Sequence, residues 1–580
     1  MTTVLPVDDY VATHWYPGFG PADSDTPWLF ERLGVFAPQD AERLWALDFH
    51  GIGLVPLSWL VIEEGAICGS QLAAESIPLP TGKGLVARIW RTNIYTSEVP
   101  VGSAWEQELR GRRAAQTLPR LVERAPQAWA EAVEELEAFY DRLRRPPGDD
   151  ADLADLNAYF DEAATLVRRA WQIHFEAMYV LLANHLGFLG LCRELGIDPD
   201  DVARFFQGEE SRIVDTDREL WRLTGRVREL GLEELFASTP ADELAAALAA
   251  RDDEPARRFR DELRAFLDVY GWRTEGIYDV ALVPWIEDPT SPLGTIKTHL
   301  LAEEAHDFEA ARAAALAERD AAIAAARERL TVEEQQAFDA GLAACRHANF
   351  TWWNEEHNFY IDLRCHIPLR QAALAIGRRF TADPTDAFYL FPAEMRALLR
   401  GERSWDDVAA LVPERRAYRE ACVADRTEAP RILGTIPEDV DDPVLKEIFG
   451  ISPDYLAAIA GRAAGGGEEL RGMAASAGVA RGPARVLLTA EELHTIRPGE
   501  ILVCEATSPN WTPAFAKIAA CVCDAGGSLT HAAIVSREYR LPCVTGTGAA
   551  TAAIATGDLL EVDGAAGRVT ILERAALATG

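Results

Sequence analysis

The sequence predicts a multidomain protein: a large, mainly α-helical domain with a mixed α/β segment before it and a compact α/β domain after it. Three observations predict this. Between about Arg110 and Arg426 apolar residues recur at helical spacing among Ala, Leu, Glu and Arg. After Gly472 the apolar residues gather instead into short runs bounded by turn residues. The net charge of −35 is also unevenly spread, with −34 on the first 470 residues and −1 on Arg471–Gly580. A length of 580 residues leaves room for three or four domains at roughly 100–200 residues each.

Residues 1–110 form the mixed segment. Gly, Pro and aromatic residues punctuate short β-like runs there, such as Gly84–Tyr95. Residues 111–460 read as the helical domain, with helices over Leu118–Leu143, Leu153–Leu191 and Ala302–Leu330. Thr331 followed by Glu334 fits a capping box that opens another helix. Residues 461–472, with the Gly465–Gly467 run, read as a flexible hinge. Residues 473–580 form the α/β domain, with strands expected at Ala484–Leu488, Glu500–Val503, Ala519–Cys523, Cys543–Thr545 and Leu559–Val562. One helix, Thr530–Tyr539, sits among them.

The acidity argues against nucleic acid or an anionic membrane as partner, since both need a basic surface. Nine cysteines without a zinc spacing or disulfide framework suit a reducing cytoplasm. The acidic start lacks the pattern of a signal peptide. The greasiest stretch, Met178–Cys192, carries Asn184 and His185 and reads as too short and polar to span a bilayer.

The stretch from Asp524 to Glu538 carries the chemistry. A strand ends in Gly526 and Gly527, and Thr530 and His531 follow directly before a helical run. Paired glycines allow a tight turn and close backbone approach. A histidine in the first helical turn faces unpaired N–H groups, which suit an anion carried on the ring. A helix N-terminus also holds imidazole neutral and nucleophilic. The implied chemistry is phosphoryl transfer through a phosphohistidine.

The block resembles the swivelling phosphohistidine domain of the phosphoenolpyruvate-utilising enzymes. The matching residues are Gly526, Gly527, Thr530, His531, Ala532, Ala533, Ile534, Val535, Arg537, Glu538, Pro542 and Gly546. The likeness runs from about Gly472 to Leu572 and takes in the stretch from Thr507 to Trp511. Leu529 stands where dikinases usually have Thr, which is more like the rifampin phosphotransferase and phenylphosphate synthase branch. The resemblance implies that His531 is phosphorylated, that Thr530 and Ser528 bond the phosphoryl oxygens, and that Gly526, Gly527 and Arg537 help to hold them. A structural pairing of Arg537 with Glu538 or a nearby loop is an equal expectation.

The same resemblance implies ATP as donor, with Mg2+ or Mn2+, normally on an ATP-grasp domain. No Walker-type loop is legible, since Thr81 to Gly84 lacks the spacing. The helical reading leaves little room for an ATP-grasp domain, and the chain ends soon after its last strand, before any phosphoenolpyruvate-binding barrel. A separate ATP-grasp subunit is therefore the expected partner, as in a phenylphosphate synthase.

The acceptor should bind the larger part. Tyr270 to Asp279, followed by Pro284, Trp285 and Glu287 to Pro289, resembles the substrate domain of rifampin phosphotransferase-like proteins, with Arg273 in the motif and Trp272 replacing the usual His. Ile432 to Pro437 and Ile448 to Ile451 resemble phenylphosphate-synthase-type chains. On one continuous helix Trp353, His357, Tyr360 and Arg364 would share a face suited to an aromatic alcohol and a phosphoryl group. His357, with Glu356 beside it, is then the candidate base. Packing in the core is as good an expectation for each of these residues. Glu355, Asp362 and His366 make a weak metal pattern, and none is expected. His299 and His306 are expected on a solvated face. Two alternatives stay open: a dikinase with its own ATP site, and a non-enzymatic phosphocarrier or regulatory protein.

Overall fold

The computed structural model describes residues 2–5, 16–18, 31, 33–274, 276–301, 308–424, 429–436, 446–461, 469–508 and 511–575. Expectations placed on Glu275, His306, Pro437, the Gly465–Gly467 hinge and Asn510 lie outside them. The chain forms two compact units. One comprises Met1–His185, Gly276–Leu282 and Tyr360–Glu438, and the other Leu186–Glu275, Val283–Phe359 and Asp439–Gly580. These boundaries correct the expected ones. The stretch 111–460 is shared between the units, and 473–580 belongs with helices from 186–359. Helical periodicity marks which face of each helix is apolar but not which core receives it.

The first unit holds a six-stranded sheet in the order β1-β6-β3-β5-β4-β2. The strands are β1 (Thr2–Leu5), β2 (Gly34–Val35), β3 (Leu44–Ile52), β4 (Gly82–Trp90), β5 (Asn93–Pro100) and β6 (Ile432–Ile436). The run expected at Gly84–Tyr95 is the β4–β5 hairpin, which turns through Arg91 at φ 56°. Strand β6, expected within the helical stretch, joins β1 and β3 in this sheet. Phe36, Trp45, Val86, Trp90, Tyr95 and Leu433 form one core against it. Thr81 to Gly84 leads into β4, and Lys83 pairs with Glu106 at 2.7 Å.

Two long helices follow, Ala104–Leu143 and Leu153–Glu194. The second contains the greasy stretch, and one of its 18-residue windows reaches a mean hydropathy of 1.4. By length and composition alone it could cross a membrane, so the expectation that it is too short and polar is corrected. Its Leu156, Phe160, Leu166, Val167 and Trp171 are buried among protein side chains, as in a core helix.

In the second unit, caps begin several helices as local sequence dictates. Ser211 accepts from the Val214 N–H at 3.4 Å, and Asp253 from Ala256 at 3.1 Å. The expected capping box is present at Thr331 and Glu334. Leu220, Leu223, Phe236, Phe259, Leu293 and Ile296 form one helical core. The unit's sheet has eight strands among the described residues, in the order β7-β14-β13-β9-β10-β11-β12-β8. These are β7 (Glu469–Arg471), β8 (Met473–Ser476), β9 (Val479–Val486), β10 (Ile501–Cys504), β11 (Ala520–Cys523), β12 (Cys543–Thr545), β13 (Leu559–Asp563) and β14 (Arg568–Glu573). Strands β9 to β12 are parallel, and the rest pair antiparallel. The five expected strands appear as β9 to β13. The end of the expected hinge, Glu469–Arg471, is already strand β7 against β14.

Candidate functional site

β11 ends at Cys523, a loop carries Asp524 to Thr530, and the helix His531–Glu538 begins at the histidine itself. Asp524 pins the loop's far side. Its carboxylate accepts from the Thr547 hydroxyl at 3.1 Å and from the Thr551 N–H at 3.2 Å. Gly526 sits at φ +95°, where side chains other than glycine are strained. Gly527 is needed for room: a Cβ there would lie 2.3 Å from the carbonyl carbon and oxygen of Glu447. Gly527→Ala should therefore push the loop off this segment and displace the helix start. The expected result is a lower melting temperature and a loss of His531 labelling of about tenfold or more, since adding volume to a tight contact costs typically 1–3 kcal/mol.

The loop's backbone donors are engaged. Gly526 donates to Phe449 O at 3.3 Å, Gly527 to Ile448 O at 3.1 Å and Leu529 to Glu447 O at 3.0 Å. Ser528 donates its hydroxyl to the Glu447 carboxylate. Thr530 donates to Gly527 O at 2.8 Å rather than facing the ring. Arg537 donates to Ser528 O at 2.7 Å and so ties the helix to its own loop. The motif beginning at Ile448 thus lies on the histidine loop.

His531 is buried, at 6% exposure. Its Nδ1 shares a 2.8 Å hydrogen bond with the Thr507 hydroxyl, and its Nε2 a 3.3 Å bond with Thr512. Phe515 meets the ring edge-on at 6.1 Å. Burial, and after it the nearby Arg273 guanidinium, lower the ring's pKa to about 3. The ring is thus held neutral mainly by loss of water. Arg273 is 2% exposed and lies over the Trp285 ring at 4.5 Å.

Other expected residues fall differently. The continuous helix expected through Trp353 and Arg364 stops at His357, and a π turn, Asn358–Asp362, follows. The wider turn breaks the 3.6-residue register, so the four residues do not share one helical face. Trp353 and His357 belong to one unit, Tyr360 and Arg364 to the other. The His357 ring stacks on Trp353 at 4.2 Å, and its Nδ1 bonds Trp353 O at 2.9 Å. Glu356 accepts from the Arg212 N–H at 2.8 Å, at the start of the helix Arg212–Glu229. Tyr360 meets Trp129 edge-on. Arg364 pairs with Glu137 at 2.9 Å and covers the Tyr140 ring. His299 is not on a solvated face, because it is buried and stacked on Trp221 at 4.1 Å.

Thr507 and Thr512 are the partners that sequence reasoning missed as site residues. Their signal was the likeness around Thr507 to Trp511, which carried no stated role. The sulfurs of Cys504, Cys521 and Cys523 converge within 4.8 Å under the histidine helix and could hold a metal ion. No linear cysteine spacing announces that group. Asp362 lies 3.2 Å from His174, and burial lowers the pKa of His366 to about 3.

Two family models match the chain in order. Residues 172–355 match the rifampicin phosphotransferase fourth domain, and residues 496–567 the mobile domain of PEP-utilising enzymes. The chain is 30% identical to chondramide synthase cmdD of Chondromyces crocatus over 96% of this chain and 14% of that protein. It is 28% identical to the uncharacterized phosphotransferase YvkC of Bacillus subtilis over 72% of this chain and 49% of the relative. Against a rifampicin phosphotransferase of Bacillus cereus it is 27% identical, over 54% of this chain and 35% of that enzyme. The chain spans between about a seventh and a half of the length of these relatives. Arg273 lies in the first matched segment and His531 in the second, so in both segments the chain is similar to phosphotransferases of the phosphoenolpyruvate-utilising kind.

Proposed function

We propose that this chain is a phosphotransferase that carries a phosphoryl group on His531 and passes it to a hydroxyl of an organic, aromatic acceptor. The observation that carries this reading is the buried, neutral imidazole at the first residue of its helix, beside the buried Arg273. With Nδ1–H donated to Thr507, the Nε2 lone pair is the nucleophile. Thr512 and Arg273 would meet the developing negative charge in this reading, supported by the Thr512 hydrogen bond to Nε2 and the effect of Arg273 on the ring. Gly526 and Gly527 give the loop its shape, and Ser528, Thr530 and Arg537 brace it.

ATP with Mg2+ or Mn2+, held by an ATP-grasp subunit, supplies the phosphoryl group in this reading. The Gly465–Gly467 run read from the sequence is the pivot on which the carrier would move. The name of one relative, rifampicin phosphotransferase, gives rifampicin as what that enzyme acts on, and an organic acceptor is proposed for this chain by that likeness. The acidic composition speaks against nucleic acid and anionic membranes as partners in this reading, and the sparse cysteines suit a cytoplasmic protein.

The test is labelling with ATP carrying a radioactive β-phosphate, with and without an ATP-grasp protein. Acid-labile, base-stable label on His531 is expected only when the partner is present. Label without it would give the chain its own nucleotide site, and no label under either condition would end the phosphocarrier reading.

A further inference from the structure

Beside His531 lies a cavity of about 100 Å³, within the second unit. Thr512, which bonds the His531 ring, is part of its wall, as are Ile213, Val214 and Phe308. Five carboxyl groups line it, and three of them, Asp217, Glu355 and Glu538, act on one another's titration. Each comes from a different helix, so no linear motif joins them. Glu538 and His531 are seven residues apart, which puts both on one face of their helix.

Glu355 is the most telling of the three. It is 5% exposed, and its Oε1 is buried with no hydrogen-bond partner among the described residues. A buried polar oxygen left unpaired costs free energy, and such a group calls for an explanation, a catalytic role being one. Its neighbour Glu356 is occupied in capping a helix, so the free oxygen belongs to Glu355.

We propose that the Asp217–Glu355–Glu538 cluster, acting through the free oxygen of Glu355, is the general base that takes the proton of the acceptor hydroxyl. This rests on the phosphotransfer reading and deepens it. The acceptor O–H bond breaks and its proton passes to the carboxylate. The acceptor oxygen forms a bond to phosphorus as the phosphorus–Nε2 bond breaks. The bonding pair returns to Nε2, which leaves the neutral ring with its Nδ1–H intact.

The surroundings tune the cluster for this work. Burial, then the charges of Glu538 and Asp217, hold the Glu355 carboxyl well above its ordinary range, against the pull of Arg273. Burial pushes Asp217 up to about 7, with Arg273 pulling the other way. Glu538 is exposed, and the protein beside it, followed by Asp217, pushes it up to about 7. Glu209, Glu210, Arg218 and Arg312 complete the charged groups on this wall. Carboxyl groups that interact this closely titrate as one system, and a base that ionises near neutrality is the effective kind.

The experiment uses water as the smallest acceptor. His531 in the full-length chain is phosphorylated chemically with phosphoramidate, and loss of the phosphoryl group is followed across pH. Phosphohistidine left to itself hydrolyses faster in acid. The expected wild-type profile instead has a limb that rises through neutrality as the cluster loses its proton. Glu355→Gln should load fully, melt like wild type and lose that limb, with a fall of about 100-fold at about pH 8, the low end for general-base catalysis. Glu355→Asp should restore part of it. A limb that survives in both Glu355→Gln and Glu538→Gln, or its absence from wild type, overturns the base. Failure of wild type to load at His531 would strike the phosphocarrier reading instead.

Discussion

His531→Gln is expected to abolish labelling and to cut acceptor phosphorylation by about 10⁴–10⁶-fold, the scale on which enzymes depend on a covalent nucleophile. Glutamine can still hydrogen-bond Thr507 and Thr512, so the loop should stay in place. A circular-dichroism melt would check that. The acid stability should also change. The ring titrates near 3 when folded and near 6.5 when free, so between those values the unfolded chain binds the extra proton. Wild type therefore loses stability from this group as pH falls from about 6.5 towards 3. The glutamine variant should lack that contribution. Undiminished turnover in a reconstituted mixture would remove His531 from the mechanism.

Arg273→Gln should have the next largest effect. The guanidinium is nearly fully buried and acts on His531, Glu355 and Asp217 together. Its charge is fixed before reaction, so it can meet a developing phosphoryl charge without reorganisation. Transfer to and from His531 should fall by about 10²–10³-fold, as when one preorganised donor is removed. Two titrations separate this from simple misfolding. Without the cation the His531 pKa should rise, yet stay below 6.5 because burial is the larger cause. The carboxyls should move further up, since Arg273 now holds them down. Ring resonances followed by NMR across pH report the first shift. An unchanged His531 titration together with unchanged transfer would deny Arg273 its place.

Much of the histidine loop and its domain was legible because it is local. The strand, the two glycines, His531 and the helical run are contiguous, and each residue's role follows from backbone rules a few residues long. The β-runs from Ala484 to Val562 were readable for the same reason, as apolar residues between turns. The stretch from Trp353 to Arg364 was harder. Trp353 to Arg364 was read as one helix because its spacing fits one. The π turn after His357 is not announced by any residue type in it. Arg364 was read as part of a substrate-binding face, but Glu137, 227 residues away in sequence, pairs with it.

By itself the sequence determined that a histidine stands at a helix start after paired glycines and that helices and a small α/β domain share the chain. Those features depend on neighbours along the backbone. Only the tertiary structure decided what surrounds the ring: Thr507 and Thr512 on its nitrogens, Arg273 close by, and Asp217, Glu355 and Glu538 around one cavity. These groups come from separate helices and loops. Their proximity, and the loss of water that tunes them, exists only once the second unit's cores have packed.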